Sequence, residues 1–198
     1  MLRVYRIPFS TNVERVSLAA AYKEIPVEWV DVDPADRSPV VAASGQELVP
    51  VLDHDGRIVV DSTAILHYLD ELEPARELFR TPEIELFVDW FNRVWKVPPN
   101  AIDAERGAAT PDDTRIAELG AEMTSSLDLF ERLLEGRDYL FGGFSAADCA
   151  AFPFLKYALD RSETDDEAFH AILREHLILD GHARVEGWIR RVDALPRA

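Results

Sequence analysis

After Pro74 the hydrophobic pattern of this chain changes period and does not change back. Before it, short β-rich runs alternate with helical stretches. From about Thr81 onward the apolar residues keep only helical spacing. Residues 2–7 form a β-rich run that stops at Pro8. Residues 12–22 read as a helix with Val13, Val16, Ala19 and Ala20 toward one side, and residues 27–32 alternate like a strand. Residues 49–52 and 58–60 read as two more strands joined by Asp53-His54-Asp55-Gly56, whose Asp-Gly pair signals a hairpin. Residues 62–72 read as a helix carrying Ile65, Leu66 and Leu69. The local order is β-α-β, a variable stretch, then β-β-α. The helical remainder is broken at Pro98-Pro99, at 107–111 and at 136–143. A mixed unit followed by a helix-only unit predicts two domains, α/β and then all-α. Pro74 and Pro82 bracket the boundary, giving residues 1–76 and 81–198.

With 21 Lys plus Arg against 37 Asp plus Glu, the formal charge is −16 over 198 residues, and both domains are acidic. Such a surface repels phosphate backbones and anionic headgroups, which argues against nucleic acid and membrane as partners. No apolar run reaches the ~18 residues of a membrane-spanning helix, and the N-terminus turns polar too early for a signal peptide. Cys149 is the single cysteine, which excludes an internal disulfide and a CxxC pair. Together these features predict a cytoplasmic enzyme or binding protein. Cys149 lies in an apolar helical stretch and reads as a small buried hydrophobe. No two of the five histidines have i, i+4 spacing, and no metal site is expected.

Three short motifs can carry chemistry, and each has a plain reading beside the functional one. In the loop Pro8-Phe9-Ser10-Thr11-Asn12, Ser10 or Thr11 can simply cap the following helix. The alternative is a hydroxyl at the C-terminal end of a strand beside a helix N-terminus, where α/β sheets offer ligand sites. In Leu48-Val49-Pro50-Val51, the proline is either a trans residue at a strand edge or a cis residue that turns the backbone of Val49 outward. In Asp61-Ser62-Thr63, Asp61 or Ser62 is an N-cap, and the Ser62 hydroxyl with nearby N–H groups can also hold a carboxylate. In the helical half, Phe144-Ser145-Ala146-Ala147-Asp148 reads as a capping box with Asp in the place of Glu. Phe144 is then expected to staple onto Cys149.

The order and spacing of these motifs resemble the cytosolic glutathione S-transferase family, in its serine-type classes, over essentially the whole chain. The resemblance implies a thioredoxin-like N-terminal domain of order β-α-β-α-β-β-α followed by an all-helical domain. It implies a cis peptide at Val49-Pro50. It also implies that Ser10 donates to the glutathione sulfur and stabilises the thiolate, which is the nucleophile. Phe9, Leu48, Val49, Pro50, Asp61 and Ser62 then complete the glutathione-binding set. Val49 would pair with the cysteinyl backbone, Ser62 would take the γ-glutamyl carboxylate, and Asp61 would face the γ-glutamyl amine. The box at Ser145 and Asp148 is implied to serve folding. Glutathione is a co-substrate and no cofactor is implied; a small hydrophobic electrophile and a homodimer are.

Two positions depart from the family pattern. Leu48 stands where Gln or Lys is frequent, with Gln46 two residues earlier, and only Arg37 suggests itself as an anchor for the glycine carboxylate. These departures keep two alternatives open: a transferase-like binding or regulatory protein without turnover, and a transferase for another low-molecular-weight thiol. Beyond the motifs, Ile84, Phe87, Val88, Phe91 and Trp95 share a helix face and read as core, while the acidic run 163–167 reads as the opening of a helix near Glu167.

Overall fold

The computed structural model describes residues 1–160, 162 and 164–198. Glu163, the first residue of the acidic run, lies outside them. The chain divides into two compact units, one of Met1–Ile84 with Leu195–Ala198, the other of Glu85–Ala194.

The first unit is built on strands β1 (Leu2–Arg6), β2 (Glu28–Asp31), β3 (Val51–His54) and β4 (Arg57–Val60). Their order in the sheet is β2-β1-β3-β4, with β1–β2 parallel and the other two pairs antiparallel. Helices α1 (Thr11–Tyr22), α2 (Ser38–Ser44) and α3 (Ser62–Leu72) complete it. The resulting order is the β-α-β-α-β-β-α of a thioredoxin-like domain. Val51 and Leu52 are adjacent on β3 and both fully buried. Neighbouring strand residues point to opposite faces, so the sheet is covered on both sides. On one of them Ile7, Val32, Val40 of α2 and Val51 form a cluster, with Tyr5 and Val49 packed against it. The hairpin has Asp55 at φ 51° and Gly56 at φ 92°. Positive φ at both central residues is the type I′ pattern that Asp-Gly favours, because its twist matches that of the strands. The end of α1 is tied down by Lys23, whose buried ammonium pairs with Asp70 and reaches the backbone carbonyl oxygens of Asp70 and Glu73 at the end of α3.

The stretch between β2 and β3, which shows no local signal strong enough to be read as an element, contains α2. Its markers are Pro39 in the first turn and Gly45 at the C-cap with φ 77°. Seven residues give too short a periodic pattern to stand out.

The second unit is helical: the rest of α4 (Pro82–Trp90), a π-helical turn over Phe91–Trp95, α5 (Val97–Arg106), α6 (Asp113–Leu133), α7 (Ala146–Leu155), α8 (Ala168–His176) and α9 (Ala183–Asp193). The expected break at Pro98-Pro99 is not there. Both prolines sit in the first turn of α5, where their missing N–H groups have no helical partner to lose. The interruption falls one step earlier, in the π-helical turn. Phe87, Phe91 and Trp95 are buried as expected, and Phe91 stacks on Trp95 with ring centroids 4.4 Å apart. Phe130 and Phe154 meet the same group edge-on. Glu167 is the N-cap of α8. Asp165 of the acidic run accepts from the Glu167 N–H, His170 and Arg174. Burial raises its carboxyl, but the Arg174, Glu167 and His170 bonds outweigh that and hold it below its ordinary value. Cys149 is fully buried.

Candidate active site

Strand register brings the three motifs of the first unit to one end of the sheet. Tyr5 pairs with Val51, and Val51 pairs with Val60. The loop carrying Phe9 and Ser10 leaves the end of β1, Val49-Pro50 enters the start of β3, and Asp61-Ser62 leaves the end of β4. Segments up to about fifty residues apart in sequence therefore open onto the same edge, as ligand sites of α/β sheets do.

Ser10 occupies the N-cap of α1, with φ −67° and ψ 122°, yet its side chain makes no capping bond. Its backbone N–H donates to the Ile7 carbonyl at 3.0 Å, which fixes the turn, and its carbonyl accepts from Glu14 at 3.0 Å. Backbone geometry thus does the capping, and the hydroxyl is left over at the positive end of the helix dipole. Phe9 beside it is 46% exposed.

The Val49–Pro50 peptide is cis. Of the two readings open from the residues alone, the trans strand-edge proline is thus wrong. Pro50 lies just outside β3, so it takes no donor from the ladder. Leu48 is 66% exposed, whereas Val49 packs against the core group around Val51.

Asp61 is the N-cap of α3, at φ 74° and ψ 128°, a positive-φ backbone outside the αL basin that a non-glycine residue seldom adopts. Its Oδ1 accepts from the N–H groups of Thr63 (2.8 Å) and Ala64 (3.1 Å). The reading that several first-turn N–H groups stay available for a carboxylate is narrowed by this: Asp61 takes two of them. Ser62 remains, buried, and its Oγ accepts from Arg15 Nη1 at 3.4 Å. Arg15 is only 1% exposed and runs from α1 to the start of α3. It links the helix behind Ser10 to the turn at Ser62. The signal for Arg15 in the sequence is a charged residue standing between Val13 and Val16 in a helix whose buried side is otherwise uncharged.

Arg37 is committed elsewhere. Its Nε donates to the Pro34 carbonyl at 3.3 Å and its Nη1 to the Glu47 carbonyl at 3.2 Å, so it pins the ends of the α2 segment. Gln46 uses its own N–H on Ser44 Oγ. No group of His, Cys, Asp or Glu among the described residues could hold a metal ion.

In the second unit, Ser145 and Asp148 form the capping box at the start of α7. The Ser145 N–H and hydroxyl both donate to Asp148 Oδ2 at 2.9 Å. The sequence does not reveal the other half of this site. Asp148 Oδ1 accepts from Trp188 Nε1 at 2.9 Å and from the Leu140 N–H at 3.1 Å. A fully buried carboxylate is thus a hub joining α7, the preceding loop and α9. Burial is the larger influence on it and pushes its carboxyl up to about 6, against the four bonds, which lower it. Phe144 is buried and meets the Tyr139 ring edge-on.

Residues 4–77 match the family model of the glutathione S-transferase N-terminal domain, and residues 113–191 that of the C-terminal domain. The chain belongs to the glutathione S-transferase family. Among the relatives of this transferase-family chain is glutathione S-transferase PARB of Nicotiana tabacum, 22% identical over 98% of this chain and 94% of that protein. Glutathione S-transferase U6 of Arabidopsis thaliana is 26% identical over 82% of this chain and 72% of that protein. Among solved structures, the Tau-class transferase of mango (Mangifera indica) superposes with a TM-score of 0.77 at 16% identity, covering 98% and 88% of the two chains. Poplar glutathione transferase F1 gives 0.76 at 19%, covering 98% and 92%. At these identities the structures establish the transferase fold, a thioredoxin-like domain followed by an all-helical one. No helix among the described residues is long and apolar enough to cross a membrane.

Proposed function

We propose that this chain is a glutathione transferase of serine type, with the thiol bound by the domain of residues 1–76 and the helical domain of residues 81–198 supplying the walls for a hydrophobic electrophile. The observation that carries the reading is the Ser10 hydroxyl, which sits at the N-terminus of α1 and is not spent on capping it. In this role Ser10 donates to the glutathione sulfur. A hydrogen bond to a charged acceptor contributes about 1.5–3 kcal/mol, equivalent to one to two pH units on the thiol. The helix dipole acts in the same direction. The thiol proton leaves to solvent, and the thiolate attacks an electrophilic carbon, forming the carbon–sulfur bond as that carbon's leaving group departs with its electron pair or, in an addition, as a π bond opens and its electron pair takes a proton from solvent. Ser62 takes the γ-glutamyl carboxylate through its N–H and hydroxyl, Asp61 faces the γ-glutamyl amine with Oδ2, and Val49 pairs with the cysteinyl backbone. Phe9 and Leu48 flank the thiol, and Pro50 completes the turn. The working form is a homodimer in the cytoplasm, and no metal takes part.

A second reading has its own support: Arg37 is committed to backbone carbonyls and Leu48 offers no polar group. A thiol with a different tail would use the same Ser10 chemistry with less need of those anchors.

The test is a titration with glutathione across pH, following the ultraviolet absorbance of the thiolate, on the native protein and on Ser10→Ala. The expected result is a band below the ordinary thiol pKa of about 8.5, lost in Ser10→Ala together with about 10- to 100-fold of the turnover at neutral pH. A band with other small thiols but not with glutathione selects the second reading. Thiol binding without a band, or no thiol binding, selects a binding protein without turnover.

A further inference from the structure

We propose that Arg197 is a positioning residue for thiol activation: it holds the Glu14 carboxylate in an ion pair, so that the N-terminal end of α1 keeps a positive field at Ser10. The inference rests on the role given to Ser10 above.

Residues 10, 14 and 17 follow one another at i, i+4 and i+7, a single stripe along α1. The C-terminal residues of the first unit lie on that stripe. Arg197 Nη2 and Nε both donate to Glu14 Oε1, at 3.1 and 3.2 Å. One turn on, Ser17 Oγ donates to the Ala198 carbonyl at 3.1 Å and the Ala198 N–H donates to the Ser17 carbonyl at 3.3 Å. The Arg197 side chain is itself steadied by the Leu195 carbonyl, at 2.6 Å from Nη1. Both partners of the pair are largely shielded, at 26% and 17% side-chain exposure.

Helical side chains lean toward the N-terminus, so the Glu14 carboxylate covers the turn that ends at Ser10. A carboxylate there suits the helix dipole but opposes a second anion, and a thiolate at Ser10 is that second anion. Side chains at i and i+4 of a helix stand about 5–6 Å apart at Cβ, and at such a separation, with an effective dielectric of about 40–80, one unit charge moves a thiol by roughly half to one pH unit. The guanidinium of Arg197 cancels that charge. Other charged groups around this end are Arg15 on α1, bonded to Ser62; Asp61 at the start of α3, with Oδ1 in its cap; and Arg6 at the end of β1, paired with Asp31. They are the same in every variant below.

The experiment places a reporter thiol at the position itself, through Ser10→Cys. The only other cysteine in that variant is Cys149, which is fully buried. The thiolate absorbance and the alkylation rate of the introduced thiol are followed against pH at low ionic strength, where surface charges are least screened. The expected result is a rise of about half to one pH unit on adding Arg197→Gln, smaller for Arg197→Lys, with return to the starting value on adding Glu14→Gln. Glu14→Gln detaches Arg197 as well, so a loss that came only from a loosened chain end would persist in that combination. A reporter profile unchanged by Arg197→Gln overturns the proposal, as does failure of Glu14→Gln to restore it. Because the reporter needs no glutathione, a native protein that fails to form a glutathione thiolate removes the Ser10 reading and leaves the reporter titration to decide this one.

Discussion

Replacing Asp148 with Ala tests the buried hub most directly. The substitution strips the acceptor from the N–H groups of Ser145, Leu140 and Trp188. Each buried donor left unsatisfied costs about 1–3 kcal/mol. The Ser145 hydroxyl can rotate and adds little. Against this, the native protein at pH 7.5 holds an ionised carboxylate whose pKa is raised from 3.8 to about 6, and removing that desolvated charge returns about 3 kcal/mol. The net expected loss at pH 7.5 is about 3 kcal/mol. Its pH dependence has a definite sign. A carboxyl raised on folding contributes stability fully below the unfolded value of 3.8, and that stability is lost as pH rises through about 6. Asp148→Ala should therefore cost about 1 kcal/mol more at pH 5 than at pH 7.5. When Asp148 takes its proton on Oδ2, the Ser145 hydroxyl can reverse and accept it, so the hub survives protonation. The assay is urea unfolding at both pH values and one protein concentration, followed by tryptophan fluorescence and circular dichroism. Burial of His176 holds its imidazole below the ordinary value; it is common to both proteins and cancels in the difference. A loss below about 1 kcal/mol at pH 7.5, or one that shrinks toward pH 5, would refute the reasoning.

Substitutions at two further positions separate stability from binding and packing from propensity. Asp61→Asn keeps an oxygen for the Thr63 and Ala64 N–H groups but loses the charge, so urea stability should stay within about 0.5 kcal/mol while the Kd for glutathione rises; Asp61→Ala should lose about 0.5–2 kcal/mol of stability as well. Calorimetric titration beside urea unfolding distinguishes the two. Gly120→Ala on α6 should destabilise by about 1–2 kcal/mol, because the added methyl would run into the His176 ring of α8, and that overpacking outweighs the ~0.5–1 kcal/mol of helix propensity gained. A Gly120→Ala protein that unfolds at higher urea than the native one would show that the ring moves aside freely.

Much of the architecture was legible because it is local. The Asp-Gly hairpin, the capping box and the switch from strand to helix period rest on interactions within a few residues, and each appears where the residue pattern places it. Local signals fail where a feature is short or shared. Seven residues of α2 carry too little periodicity, although Pro39 and Gly45 mark its ends. Pro98-Pro99 signals a break equally well whether it ends one helix or opens the next, and the aromatic packing of Phe91 and Trp95 around a π-helical turn sets which. The Val49–Pro50 isomer likewise was open to the residues alone, while the resemblance to the transferase family implied the cis form that is found.

What the sequence by itself determined is the set of chemical groups and the order in which they occur: a hydroxyl before a helix, an acid before another, an alternating half and a helical half. Which groups meet was decided by tertiary structure. Pairing of Tyr5 with Val51 and of Val51 with Val60 brings residues 10, 49 and 61 to one edge. Folding carries Arg15 to Ser62, Trp188 to Asp148, and Arg197 back to Glu14 across 183 positions. A buried charge or donor must find a partner wherever the packed chain provides one, and that search runs through space, where sequence spacing leaves no trace.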